Sequence, residues 1–236
     1  MNKFILILLV SITMAGCDAA TMQRVLDTAG GMVQLSNSDI ANGLKEALDK
    51  GVENAVTNLS RENGFYKSAY KILLPEEAQN VTDKLKFIPG FDNLEEKLVL
   101  KINQAAEDAA SKAGPIFVQA IKGMTINDAM SILMGEKNSA TEYLNRNTYN
   151  SLYSEFKPVL VNSLNKFGAL DYWSSAVTKY NSLPLVKDVN PDLADYINTK
   201  ALVSLFDLIE KKELGIRTDA SQRTSDLLRQ VFAKQD

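Results

Sequence analysis

Two glutamates, one cysteine and a run of aromatic side chains are this sequence's candidates for chemistry. Glu107 sits in Asn103-Gln104-Ala105-Ala106-Glu107-Asp108-Ala109-Ala110, among alanines small enough to let other helices approach closely. A carboxylate buried there is costly unless it is paired. Glu107 is therefore read first as a partner in an internal hydrogen bond or an ion pair, for example with Arg146, ahead of a ligand or catalytic site. Glu142, with Arg146 four residues on, reads as one half of an intrahelical pair. Two carboxylates are what glycosidase-type hydrolysis needs, one protonated and one ionised across the scissile bond, but nothing in the sequence fixes such a pair in space.

The composition closes most other routes. The chain has 236 residues, no histidine and a single cysteine, so it lacks the commonest general base, the commonest zinc ligand and any disulfide. No phosphate-binding glycine loop, dinucleotide fingerprint, nucleophile elbow or EF-hand spacing occurs, and no cofactor or metal is expected. With 26 basic against 29 acidic residues the formal charge is −3, which points away from a nucleic-acid partner. The basic residues Lys211, Lys212, Arg217, Arg223 and Arg229 read as a solvated face.

The cysteine has a context of its own. Met1-Asn2-Lys3 precedes Phe4-Ile5-Leu6-Ile7-Leu8-Leu9-Val10, a short positive segment and an apolar run too short to span a bilayer, as in an export signal. Met14-Ala15-Gly16-Cys17 then resembles the bacterial lipobox, with Met14 where leucine is usual. That resemblance implies cleavage after residue 16, lipidation of Cys17 and attachment to a membrane of the cell envelope, facing the periplasm. Asp18 resembles the signal that retains lipoproteins in the inner membrane. Residues 17–35 are read as lipidated terminus and tether or first helix, and 36–236 as one domain.

The elements that must position any site are helical. Apolar residues recur at steps of three and four from Ile40 to Leu59, with Ser38 or Asp39 as cap, from Pro75 to about Ile88, and from Leu94 to Ala113. Further helices are predicted over Pro115–Lys122 and from a Thr125–Asp128 capping box to Gly135. Ser139 to Asn181 follows, broken at Pro158 and Gly168, then Pro191 to Leu214 with Gly215 as stop, and a last helix capped by Thr218-Asp219. No strand alternation appears, so the expected fold is all-α, a single domain of roughly ten helices.

Several blocks, taken in order, look like those of one family. They are Gly43-Leu44-Lys45-Glu46-Ala47-Leu48 with Gly51, Leu74-Pro75-Glu76-Glu77, the Asn103–Ala110 run and Pro115-Ile116-Phe117 through Met124-Thr125. Ala140-Thr141-Glu142-Tyr143 and Thr224–Phe232 complete the series. Together they resemble the bacterial family named domain of unknown function 4197, over residues 36 to 233. The resemblance implies an exported helical protein, often a lipoprotein, and no assigned activity.

The aromatic run is Tyr143, Tyr149, Tyr153, Phe156, Phe167, Tyr172, Trp173 and Tyr180. Tyrosine and tryptophan join an apolar body to a polar tip, which suits a groove or an interface as well as a core. Phe156 and Phe167 are expected to be buried, and Tyr149, Tyr172 and Trp173 to show an exposed edge and carry a partner or ligand surface. The functional expectation is a non-enzymatic, lipid-anchored domain that binds a protein partner or an apolar ligand. The alternative is a histidine-free envelope hydrolase using Glu107 with a second carboxylate, Glu142 being the other candidate.

Overall fold

The computed structural model describes residues 35–189 and 192–233. The export signal, Cys17, Asp18 and the Asn190-Pro191 pair lie outside the described residues. Those described form a single all-α domain of nine α-helices and one 3₁₀ turn, without strands. None of these helices is long and apolar enough to cross a membrane.

Helix α1 (Asn37–Ser60) starts one turn earlier than its apolar stripe. Ser36, rather than Ser38 or Asp39, is the cap: its hydroxyl accepts from Asp39 N–H, and Asp39 accepts in return from Ser36 N–H. Helix α2 (Glu76–Leu85) stops short of Ile88, and α3 (Leu94–Ala110) short of Ala113. Both expectations ran past the last turn because the apolar residues beyond it, Ile88 and Ala113, are placed by tight turns instead. Helices α4 (Gly114–Gly123) and α5 (Ile126–Leu133) follow, with the Thr125–Asp128 box closing reciprocally on α5.

Helix α6 (Ser139–Lys166) runs unbroken through Pro158. Proline removes the N–H that would bond to Ser154, but both residues are exposed, so water can satisfy the freed carbonyl. Helix α7 (Ala169–Asn181) begins after Gly168, whose φ of 67° lies in the left-handed region. Helix α8 (Ala194–Thr218) passes through Gly215. A Cβ at Gly215 would meet only the terminal amide of the Gln222 side chain, 2.4 Å from its Oε1, which can swing aside. Asp219 caps the 3₁₀ turn Ala220–Gln222, and Ser225, not Thr218-Asp219, caps α9 (Asp226–Phe232).

Helices α1, α6 and α8 form the centre. Helix α1 packs along α8 and against α5 and α9, while α6 packs against α8, α3 and α4. The interior holds Leu44, Leu48, Leu144, Leu152, Phe156, Leu205 and Ile209. Helices α2 and α7 pack on each other to one side, with α3 and α6 supporting α7.

The core also contains an ion pair that a solvated basic face does not allow. Arg217 is 5 % exposed and Arg223 2 %. Glu213 accepts from Ala140 N–H (2.9 Å), Thr141 N–H (2.7 Å) and the Thr141 hydroxyl (2.7 Å), which caps the start of α6 from α8. Arg217 donates to Glu213 at 2.9 Å and to the carbonyls of Leu133 (3.2 Å) and Ile132 (3.0 Å), which closes the end of α5. Arg223 donates to the carbonyls of Ile216 and Arg217. One glutamate and two arginines thus satisfy helix ends that would otherwise be buried with orphan backbone groups. Lys211 and Arg229 are on the surface, as expected of them.

Acid should weaken this fold in a narrow range. Asp39, Asp108, Asp128, Asp195 and Asp219 are each held below the ordinary carboxylate range, first by a hydroxyl that donates to them, from Ser36, Ser163, Thr125, Tyr153 and Ser221 respectively. Groups shifted down stabilise the folded state above their unfolded value, and that stability is lost as pH falls through the folded values. Asp49, pushed up by burial, acts oppositely. With no histidine to titrate between pH 5 and 8, the melting temperature should be flat from pH 8 to 5 and fall below about pH 4. A midpoint that rises on acidification below pH 4 would contradict this.

Candidate functional site

The segment between α1 and α2 leads the chain to a cleft at the start of α2. Residues 61–75 are not helical, so their backbone needs partners from elsewhere. Helix α3 supplies them. The Glu107 carboxylate accepts from Asn63 N–H (3.2 Å), Phe65 N–H (3.1 Å) and Tyr66 N–H (3.1 Å). One turn earlier, the Asn103 side chain accepts from Ile72 N–H (2.8 Å) and donates to Ile72 C=O (2.9 Å) and to Val99 C=O (2.6 Å). Gly64 must lack a side chain here, since a Cβ would lie 2.4 Å from the carbonyl of Asn58 and 2.7 Å from that of Leu59.

The segment is also tied to α8. The Tyr70 hydroxyl donates to Asp207 at 2.6 Å, and Lys211 bridges to Asp207 (2.7 Å) and to the Tyr70 hydroxyl (2.9 Å). Burial and the Asp207 hydrogen bond push the Tyr70 phenol up. Burial would push Asp207 up too, but hydrogen bonds from Lys211 and Tyr70 hold it below the usual carboxylate range. These contacts fix where Leu74-Pro75 delivers the chain to α2.

Between the start of α2, the face of α7 and the approach to α8 lies a cleft of about 480 Å³. Its aromatic lining is Trp173 and Tyr180, seven residues apart on one face of α7, and Tyr196 from the first turn of α8. Pro75 and Ala78 line it from α2, and Val189 and Leu193 from the segment before α8. Trp173 is 1 % exposed, and its indole N–H is buried without a hydrogen-bond partner.

The residues singled out from the sequence are not gathered in one place. Glu107 is buried as expected, but its partners are backbone N–H groups and not Arg146. Arg146 lies 3.7 Å from Glu142 on the exposed face of α6. Of the three aromatic surface candidates, Trp173 lines the main cleft, but as a core side chain rather than an exposed edge. The i, i+3, i+4, i+7 stripe Trp173, Ala176, Val177, Tyr180 carries it inward. Tyr172, 100° further round, is exposed over a smaller concavity with Gly90, Phe91 and Asp171, its ring near the ammonium groups of Lys97 (6.0 Å) and Lys101 (5.5 Å). Tyr149 is half-buried between Tyr153 and Phe206, at centroid distances of 6.1 and 6.4 Å. Phe156 is buried, whereas Phe167 is only half-buried at the end of α6.

The described residues thus form an all-helical domain in which α3 clasps a long segment through buried asparagine and glutamate. The family model described as "Protein of unknown function (DUF4197)" matches residues 34–233, and the chain belongs to that family. No curated protein and no solved structure matches it.

Proposed function

We propose that the chain is a non-enzymatic binding domain, held at the cell envelope by a lipid on Cys17, that receives a protein segment or an apolar ligand in the cleft between α2, α7 and the start of α8. The observation that carries this reading is the cleft itself, about 480 Å³, lined by the half-buried Tyr196 and by the small exposed parts of the otherwise buried Trp173 and Tyr180. Ligand sites have volumes of roughly 300–1,000 Å³ and apolar, aromatic walls with a few polar groups. Binding is favoured over hydrolysis because both oxygens of Glu107 are engaged by backbone N–H groups, which leaves them to hold a loop. Trp173 is the only tryptophan, so energy transfer from it to the neutral probe N-phenyl-1-naphthylamine reads occupancy of the cleft, and saturable transfer that Tyr196→Ala weakens is the expected result.

The anchor rests on the export signal and the lipobox-like Met14–Cys17, with the inner membrane favoured by Asp18. Wild type should fractionate with membranes and require detergent for release, since several buried acyl chains hold firmly at about 0.8 kcal/mol per CH₂. Cys17→Ser should leave the protein in the soluble fraction. A Cys17→Ser protein that only detergent extracts would defeat the lipid anchor.

A further inference from the structure

We propose that the domain rests on the lipid bilayer by the end where α2 passes into α3 and α6 into α7, with Phe87 entering the boundary between headgroups and acyl chains and Phe167 and Tyr172 seated beside it at headgroup level. The inference rests on the reading of Cys17 as a lipid anchor and adds which face of the domain meets the membrane. Phe87 is 83 % exposed. Tight turns fix its backbone: Ile88 N–H donates to Leu85 C=O (2.8 Å), Phe91 N–H donates to Ile88 C=O (3.0 Å), and Gly90 takes a φ of 91°. The other two rings are joined to this turn. Gly90 and Phe91 share a concavity with Tyr172, and Lys101, whose ammonium lies 5.5 Å from the Tyr172 ring, donates to the carbonyl of Phe167 at 2.5 Å.

Each of the three rings carries a lysine. The ammonium of Lys86 lies 5.4 Å from the centroid of Phe87, that of Lys101 5.5 Å from Tyr172 and that of Lys166 5.2 Å from Phe167. This pairing suits a bilayer better than a protein partner. Lysine is depleted from protein interfaces, whereas at a membrane surface the ring enters the apolar side and the ammonium extends to the phosphates. Asp83 and Asp108 already pair with Lys86 (3.0 Å) and Lys166 (3.4 Å), so ring burial rather than net charge supplies the attraction, and salt weakens it little. A few rings hold a membrane only weakly on their own. The anchor compensates, because residues 17–35 extend up to about 65 Å, more than the roughly 40 Å diameter of a compact domain of this size, and keep the face near the bilayer at an effective concentration of about a millimolar.

Cys17 is the single cysteine, so the mature chain couples through it to a maleimide phospholipid in vesicles of phosphatidylethanolamine and phosphatidylglycerol, and the anchor is then supplied chemically. Phe87→Trp puts a reporter at the proposed contact. Leu185→Trp puts one at a fully exposed residue beyond the far end of α7, a helix about 20 Å long. The parent chain, with buried Trp173 alone, gives the background emission. On coupled vesicles the Phe87→Trp emission should shift to the blue and be quenched by phospholipids brominated on their acyl chains, at low and high salt alike, while Leu185→Trp keeps the emission it has in solution. An unshifted, unquenched Phe87→Trp signal on vesicles whose flotation verifies coupling would overturn the docking and leave the anchor, which the fractionation of Cys17→Ser tests, untouched. Quenching in Leu185→Trp that equals or exceeds that in Phe87→Trp would overturn the assignment of this face.

Discussion

Replacing Glu107 by alanine is expected to cost about 3–5 kcal/mol of unfolding free energy, among the largest effects of any single substitution in this chain. The substitution removes one buried carboxylate and leaves three backbone N–H groups, of Asn63, Phe65 and Tyr66, without their acceptor. Hydrogen bonds to charged groups contribute about 1.5–3 kcal/mol each when cut singly, and the three do not add fully because the loop relaxes as a unit. Glu107→Gln keeps one oxygen for Phe65 and Tyr66 but turns an amide donor toward Asn63 N–H, so it should cost roughly 2 kcal/mol. Urea denaturation of the mature chain carrying Cys17→Ser measures both. A Glu107→Gln protein as stable as its parent would show that the carboxylate does not hold the segment.

The second large effect is expected at Glu213. Its removal strands the Arg217 guanidinium in the core and frees the N–H groups of Ala140 and Thr141 at the start of α6. Breaking one side of a buried pair costs about 3–5 kcal/mol, mainly because the remaining charge is uncompensated. Arg217→Ala should cost less, about 2–3 kcal/mol, because Glu213 retains two backbone donors and the Thr141 hydroxyl. The order of the two costs is the test. An arginine substitution as damaging as the glutamate substitution would mean that the cap on α6 contributes little.

How far these features could be read from the sequence follows from what each interaction depends on. Helix identity depends on spacing within one segment, and the three-to-four steps of α1, α3 and α8 are explicit in their residues. Ends depend on particular backbone groups, which is why Pro158 and Gly215 mislead: exposure at Pro158 lets water satisfy the freed carbonyl, and glycine permits a helix to continue as well as to end. Glu107 could be picked out because alanine neighbours implied burial. Its partners could not, since backbone N–H groups have no letter in the sequence. Glu213 was missed altogether, although Ile209, Glu213, Ile216 and Arg217 on one face of α8 place two charges in an apolar stripe, a signal visible without a structure. The cleft has no sequence signature, because α2, α7 and the start of α8 meet across about a hundred residues. Trp173 was assigned to the surface by the chemistry of its tip, when the periodicity of its helix was the stronger indicator.

If this domain binds in the α2–α7–α8 cleft, a bound molecule lies beside Trp173. The most direct test is a two-dimensional ¹⁵N–¹H spectrum of the mature chain carrying Cys17→Ser, titrated with N-phenyl-1-naphthylamine. One tryptophan gives one indole resonance. This resonance should move saturably, together with backbone amides around Ala78, Val189 and Tyr196, while amides near Tyr149 and the Tyr172–Phe91 concavity stay in place. Shifts that gather at those latter sites, or an indole signal unmoved at saturating probe, would contradict it.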